Sequence, residues 1–205
     1  LGVVENDLKQ GLFKEFNSND EVLSYRFYDN DTLIYKGNYD YLNNKTGRWI
    51  YYWENGSIKG LLHRAFSVFI FNNKNELLLQ KRAISKYHSG GLWTNTCCSH
   101  PRKNEIVINA AKRRLKEEMG MVCDLEFKFS FIYKAKLDNN LFEHEFDHVF
   151  FGNFDKLPNI NPKEVDSFCY KSLDKIKEDI NLHPKKYTEW FKICFNEVLF
   201  NYQKT

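Results

Sequence analysis

The pattern of apolar and polar residues changes near residue 60 of the chain. Before that point, aromatic residues alternate with polar ones, which predicts short antiparallel strands. After it, residues 65–71 form a nearly continuous apolar run, typical of a strand that is covered on both faces. We therefore expect two domains, one spanning residues 1–60 and the other residues 61–205.

The second domain mixes strands with helices. A turn at 72–75 leads to a second predicted strand, and a helix follows that ends at Gly120, because glycine commonly ends helices. Strands with flanking helices predict a layered α/β or α+β domain. The predicted elements are strands at 65–71, 76–81, 127–135 and 145–154, and helices at 105–119 and 187–202.

The first domain contains a loose repeat. Residues 11–16 (Gly-Leu-Phe-Lys-Glu-Phe) return at 47–52 as Gly-Arg-Trp-Ile-Tyr-Tyr, and turn-like stretches follow at 17–20 and 54–57. The second stretch contains an Asn-Gly step, a strong hairpin signal. The repeat therefore predicts β-hairpins that bury their aromatic faces by stacking on one another.

Composition narrows the classes of function. The chain has 30 Lys and Arg against 27 Asp and Glu, a formal net charge of +3. So small an excess does not favour nucleic acid as a partner. No apolar stretch nears the ~18 residues of a membrane span. Five cysteines cannot all pair within one chain, so we expect free thiols and a cytoplasmic location.

Two short motifs offer chemistry. Cys98 and His100 lie two residues apart on a predicted extended segment, and so do Glu143 and Glu145, so that each pair shares a side. The first pair is either a buried Cys with a capped His or an acid/base thiol beside a metal ligand. The second is either a solvated acidic edge or, with His63 and His100, a site for Mn²⁺, Zn²⁺ or Mg²⁺.

Basic residues could form an anion site. Arg114 and Glu118 share a helix face and form either a plain ion pair or a diphosphate clamp, in which Glu118 holds Mg²⁺ that bridges to the phosphates. Arg82 and Lys86 are either surface charges or further members of the same pocket.

The order of these features resembles type 1 isopentenyl-diphosphate isomerases, a family with the Nudix fold. The resemblance covers about residues 60–203, and its Thr-Asn-Thr-Cys-Cys-Ser-His-Pro string is highly specific. It implies an α+β fold, a Nudix-type α/β/α sandwich with a mixed sheet. The segments that carry it are 63–69, 93–101, 113–118 and 143–145.

The helix also resembles the Nudix box, with two departures. Ser99 replaces the Gly of the box, and Arg114 replaces the first Glu of its core, a carboxylate that hydrolases use around metal. Arg114 adds a phosphate-binding base, which favours holding a diphosphate over cleaving it. The positions that fit the box are Glu105, Arg113, Leu115, Glu117, Glu118, Gly120 and Met121.

The resemblance implies interconversion of isopentenyl and dimethylallyl diphosphate through a tertiary carbocation. Two acid/base groups must then flank a dry pocket. The family pattern assigns these roles to Cys98 and Glu145, with Tyr133 assisting Glu145 and the Trp190 ring facing the cation.

The same resemblance implies two metal ions and a diphosphate site. The first ion, Mn²⁺, Zn²⁺ or Mg²⁺, would be held by His63, His100, Glu143 and Glu145. Glu118 and the Cys98 carbonyl would reach Mg²⁺ on the substrate diphosphate. Arg82, Lys86 and Arg114 would bind that diphosphate.

The chain departs from the family upstream of His63. The family usually brings a further His and a Lys there, where this sequence has Gly56 and Tyr52. Residues 47–56 instead resemble MORN-type repeats, which implies a fusion of a repeat segment with an isomerase domain. A protein partner for residues 1–60 is a further expectation.

The missing His leaves three hypotheses. The first is an active isomerase in which water, His144 or His148 fills the gap. The second is a diphosphate-binding domain with slow turnover or none. The third is a Nudix hydrolase, which Arg114 disfavours. A fourth, minority interpretation makes the aromatic hairpins a partner-binding module.

Overall fold

A computed structural model of the chain describes residues 62–86, 88–102, 104–137 and 142–204 with their side chains, and the backbone of six strands within residues 3–59. The chain divides into two compact units. The first comprises Leu1–Leu61 with Asn140–Phe142, and the second comprises Leu62–Asn139 with Glu143–Thr205.

The described part of the first unit is an antiparallel sheet in which each strand pairs with the next in chain order. The two copies of the repeat lie in β2 and β5, while the predicted turns lie outside the described residues. The likeness to MORN-type repeats and a protein partner for this unit stay predictions. The strands are β1 (Val3–Glu5), β2 (Leu8–Phe16), β3 (Val22–Asp29), β4 (Thr32–Tyr39), β5 (Lys45–Tyr52) and β6 (Ile58–Lys59).

The second unit is built on a mixed sheet. Its strands are β7 (His63–Phe71), β8 (Glu76–Arg82), β9 (Trp93–Thr94), β10 (Cys97–Ser99), β11 (Glu126–Lys136), β12 (Phe142–Asn153) and β13 (Val165–Ser172). The sheet order is β11-β12-β7-β8-β13, with β10 on β7 and β9 on β8. The β12–β7 pair is parallel, whereas β8 and β10 run antiparallel to β7.

Helices cover both faces of this sheet. They are α1 (Val107–Met119), α2 (Leu173–Leu182) and α3 (Glu189–Tyr202), with a short 3₁₀ turn at Pro184–Lys186. Phe69 of β7 packs with Phe191 of α3 in one buried cluster. Val68 points the other way and packs with Leu115 of α1 in a second cluster. We call these the α3 face and the α1 face, and the α+β sandwich predicted above is confirmed.

Most predicted elements are present, and the differences are local. Gly120 ends α1 with a left-handed φ of 64°, where a Cβ would lie 2.5 Å from the Asn159 carbonyl oxygen. The pattern missed β13 and α2, because β13 is mostly half-buried and only Ile176 of α2 is fully buried. Among the helices of the described residues, none is long and apolar enough to cross a membrane.

Candidate active site

The register of three strands determines which side chains meet. Cys98 of β10 pairs with Ser67 of β7, and Glu145 of β12 pairs with His63 of β7. Side chains of paired residues point to the same face of a sheet, so Cys98 and Glu145 both belong to the α3 face. Cys97 points the opposite way and is fully buried in the α1-face cluster.

Two histidines converge on one carboxylate. The Glu145 Oε1 atom lies 2.7 Å from His100 Nε2 and 3.3 Å from His63 Nε2, and the two ring nitrogens are 3.2 Å apart. The histidines are part exposed while Glu145 is buried. Imidazole nitrogen and carboxylate oxygen suit Zn²⁺ and Mn²⁺, so this donor set fits a divalent metal.

Glu143, the fourth predicted ligand, has different neighbours. The Tyr133 hydroxyl lies 2.9 Å from Glu143 Oε2 and 2.8 Å from Glu145 Oε2, so it bridges the two carboxylates. Glu143 Oε1 is 3.5 Å from Nε2 of the buried His88. Within the described residues, the cluster of side chains close enough together to hold a metal ion contains His63, His100 and Glu145 and does not include Glu143.

The structure does not bring His144 or His148 into this cluster. Both occupy even positions of β12, so they point to the opposite face from Glu145. The Nδ1 atom of His148 lies 3.2 Å from the Ala65 carbonyl oxygen, and its ring packs on Phe146. The structure therefore does not support the hypothesis that His144 or His148 replaces the missing upstream metal ligand.

Burial and neighbouring charges shift the pKa values of Glu145 and Tyr133. Burial alone would raise the pKa of Glu145, but the hydrogen bonds from His100 and His63 outweigh it and hold that pKa low. Burial, reinforced by Glu145 and Glu143, raises the pKa of Tyr133 far above its usual range. Glu145 is thus a carboxylate and Tyr133 a neutral hydroxyl donor at neutral pH.

Cys98 lies beside an arginine, Arg82, that also covers the ring of Trp190. The Arg82 Nη1 atom is 4.0 Å from Cys98 Sγ, and the guanidinium carbon is 5.2 Å from the centre of the Trp190 ring. Burial raises the pKa of Cys98 to about 12; Arg82 opposes that rise, and nearby carboxylates, including Glu118 and Glu145, add to it. The sulfur is therefore a protonated thiol at neutral pH.

A second cluster contains two of the three predicted diphosphate ligands, Lys86 and Arg114, whereas the third, Arg82, lies beside Cys98. Arg114 Nη2 lies 2.6 Å from Glu118 Oε1 and 3.2 Å from Glu164 Oε1, and Glu164 also pairs with Lys86. Gln80 donates to the other oxygen of Glu118 at 3.2 Å. Burial raises the pKa of Glu118 and outweighs the opposing charge of Arg114.

Sequence reasoning missed four residues: His88 and Glu164 within these clusters, Asn95, which accepts from Trp190 Nε1, and Asp147, two residues after Glu145. His88 precedes the Gly-rich loop, and Asn95 lies inside the specific string, so both had a signal in the sequence. Asp147 continues the alternation of Glu143 and Glu145, and it accepts a 2.8 Å hydrogen bond from Ser67. Glu164 had no signal in the sequence, because the pairing of β13 with β8, beside which its carbonyl accepts from the Ala83 N–H, brings it to Lys86 and Arg114.

Comparison with known proteins identifies the family. The model of the NUDIX domain matches residues 61–191. Isopentenyl-diphosphate Delta-isomerase 2 of Aromatoleum aromaticum is 51% identical over 141 residues, which are 69% of this chain and 75% of that protein. The chain belongs to the isopentenyl-diphosphate Delta-isomerase family.

Two other members of that family have a similar sequence identity to this chain. Isopentenyl-diphosphate Delta-isomerase 2 of Photorhabdus laumondii is 58% identical, covering 67% of this chain and 78% of that protein. The isopentenyl-diphosphate Delta-isomerase of Pectobacterium atrosepticum is 52% identical, covering 69% and 79%.

Solved structures support the fold. A MutT protein from Methanosarcina mazei superposes with a TM-score of 0.57 at 17% identity, covering 69% of this chain and 95% of that chain. The Nudix hydrolase RenU of M. smegmatis superposes with a TM-score of 0.55 at 15% sequence identity, covering 77% of this chain and 96% of that chain. At these identities the likeness concerns the fold alone.

Proposed function

We propose that this chain interconverts isopentenyl diphosphate and dimethylallyl diphosphate by moving protons through a tertiary carbocation. The observation that carries the proposal is the placement of the Cys98 thiol and the Glu145 carboxylate on one face of the sheet, in a chain about half identical to isomerases of that name. The membership of the family and the site chemistry support the same reaction.

The diphosphate anchors the substrate in this proposal. Arg114 and Lys86 supply cationic donors, and Arg forms paired hydrogen bonds to phosphate oxygens. Glu118 and the Cys98 carbonyl would hold the Mg²⁺ that accompanies the diphosphate, where the ion supplies charge neutralisation. Arg82, which contacts Cys98 and Trp190, would be the third cationic ligand of the diphosphate.

Two proton transfers move the double bond. A donor gives its proton to the terminal methylene carbon, and the π-electron pair forms the new C–H bond, which leaves a cation on the branched carbon. A base then removes a proton from the neighbouring methylene, and that C–H electron pair becomes the new double bond. Cys98 and Glu145 take these roles, and they exchange them when the reaction runs backwards.

Neighbouring residues prepare both groups. Tyr133 bridges Glu143 and Glu145 through one hydroxyl, so it orients the Glu145 carboxylate and can pass a proton to or from it. The Trp190 ring is almost fully buried, and its negative face would stabilise the carbocation while excluding water.

The donor set fits a divalent ion at the first site. His63, His100 and Glu145 would hold it, with Glu143 as an additional ligand. An ion bound there supplies positive charge that stabilises the Glu145 carboxylate and lowers the proton affinity of its neighbours.

An exchange assay tests the reaction itself. In deuterated water, an isomerase incorporates solvent deuterium into both prenyl diphosphates, because each turnover takes one proton from a group that exchanges with solvent. We expect exchange without release of phosphate, followed by NMR of the prenyl chain. Phosphate release without exchange would contradict the proposal and favour a hydrolase, whereas diphosphate binding without exchange would favour the impaired domain.

The metal site makes a separate prediction. His100→Gln should weaken Mn²⁺ binding by at least about 100-fold, because loss of even an outer-shell partner costs 10–100-fold. Titration of the ion-free protein with Mn²⁺, followed by electron paramagnetic resonance, measures this. The control is His183→Gln, at an exposed histidine that follows α2, which should bind as the parent does; equal affinity in both variants would rule out the assignment.

A further inference from the structure

Asn95 is a fully buried amide between β9 and β10. Its Nδ2 donates to the carbonyl oxygens of Cys97 at 2.8 Å and Val68 at 3.3 Å. Its Oδ1 accepts from Thr94 Oγ1 at 2.8 Å and Trp190 Nε1 at 3.2 Å. An amide offers two donors and two acceptor sites, so every hydrogen-bonding position of Asn95 is used.

This amide joins the two elements that would flank the carbocation. One end holds the backbone next to Cys98, and the other end holds the indole N–H of Trp190. The start of α3 is attached to the same strand, because Thr188 donates to Thr94 Oγ1 at 2.9 Å and its backbone N–H donates to the Trp93 carbonyl at 3.0 Å. The position of the ring therefore depends on β9 rather than on α3 alone.

We propose that Asn95 is a positioning residue for the isomerisation, which fixes the Trp190 ring against the carbocation formed beside Cys98. The inference rests on the proposed function. An indole N–H has one direction, so a single acceptor at its edge sets the rotation of the ring within its plane. Ring position matters because the attraction between a cation and an aromatic face decays over a few ångströms.

The effect should fall on the cationic state and spare the neutral substrate. A neutral prenyl chain gains little from the ring quadrupole, whereas the carbocation is attracted by it, as is the Arg82 guanidinium that already lies over the ring. Interactions that are stronger in the transition state than in the ground state change kcat rather than KM. Loss of the amide should therefore lower kcat about 10-fold, the size of a cation–π contact of moderate strength, while KM stays within about 3-fold.

A double-mutant cycle separates this role from a merely structural one. The four proteins are the parent, Asn95→Ala, Trp190→Phe and the double variant, with kcat and KM measured for each. The phenyl ring of the Trp190→Phe variant has no N–H, so the Asn95→Ala loss should shrink from about 10-fold to about 2-fold in that background. An equal loss in both backgrounds, or an unchanged kcat in Asn95→Ala, would overturn the proposal.

A binding measurement supplies a readout that does not need turnover. The probe is a diphosphate whose branched carbon is replaced by a protonated dimethylamino nitrogen, so that it carries the charge of the intermediate; inorganic diphosphate, which lacks the chain, is the control. Asn95→Ala should weaken the ammonium probe about 10-fold and leave diphosphate binding unchanged. Equal weakening of both ligands would overturn the inference.

Folding and the proposed function are controlled separately. Asn95→Ser leaves a hydroxyl for the backbone but is too short for Trp190, so it should give the same kcat loss if Asn95→Ala does not fold. The NMR resonance of the Trp190 indole N–H reports its hydrogen bond to Asn95 directly. The spectrum of the Trp190→Phe variant, which lacks this resonance, assigns it. If the parent turns over and the Asn95 variants keep the parental kcat, only the positioning role of Asn95 is rejected. If the parent itself shows no deuterium exchange, the proposed function is rejected.

Discussion

Cys98→Ala is expected to lower turnover by about 10³-fold or more, within the range contributed by one acid/base group, while diphosphate binding stays within about 2-fold. The thiol is a protonated donor on the α3 face, beside Arg82, and alanine removes the proton while leaving the cationic groups of Arg82, Arg114 and Lys86 in place. Steady-state kinetics and calorimetric titration with inorganic diphosphate measure the two quantities.

Cys123→Ala is the matched control. Cys123 is a free, half-buried thiol that follows α1, so its removal should leave kcat within about 2-fold of the parent. Full turnover in Cys98→Ala would reject the acid/base role of this residue.

Glu145→Gln should produce a loss of similar size by two routes at once. The amide cannot take a proton, and it removes the carboxylate on which His63 and His100 converge. We therefore expect kcat to fall by at least about 10³-fold and Mn²⁺ affinity to fall by about 100-fold or more. Turnover and metal titration are measured on the same preparation.

Two further variants separate the loss of the acid/base group from the loss of the metal ligand. Tyr133→Phe removes the bridging hydroxyl but leaves the carboxylate, so it should lower kcat and leave Mn²⁺ affinity near that of the parent. Glu126→Gln, on the exposed start of β11, is the neutral control and should match the parent in both. If the Glu145→Gln protein keeps the parental turnover, the proposed acid/base and metal-binding roles of Glu145 are wrong.

Much of the site could be predicted because strand alternation is local. Cys98 with His100, and Glu143 with Glu145, share a face for the same reason, and the specific string around Cys98 indicated the family. The meeting of these pairs depends on the parallel register of β12 with β7, which is a long-range pairing that spacing does not encode. His88 reaches Glu143 of β12, and Glu164 reaches Lys86 and Arg114 beside the β13–β8 pair, through tertiary contacts of the same long-range kind.

The length of the strands was harder to predict than their existence. The pattern began β12 at Glu145, whereas the structure begins it at Phe142 and so includes Glu143 within the strand. Acidic residues are poor strand formers, and here the hydroxyl of Tyr133 and the imidazole of His88 offset that preference.

The shared carboxylate of Glu164 has a consequence for how the substrate is captured. Lys86 and Arg114 share Glu164 as a counter-ion, and Arg114 also pairs with Glu118, so an arriving diphosphate meets much less net positive charge than two bare cations would present. Long-range steering and its dependence on ionic strength should then be weaker than for bare cations. Recognition of the prenyl diphosphate is left to short-range contacts, and added sodium chloride should change the association rate only modestly.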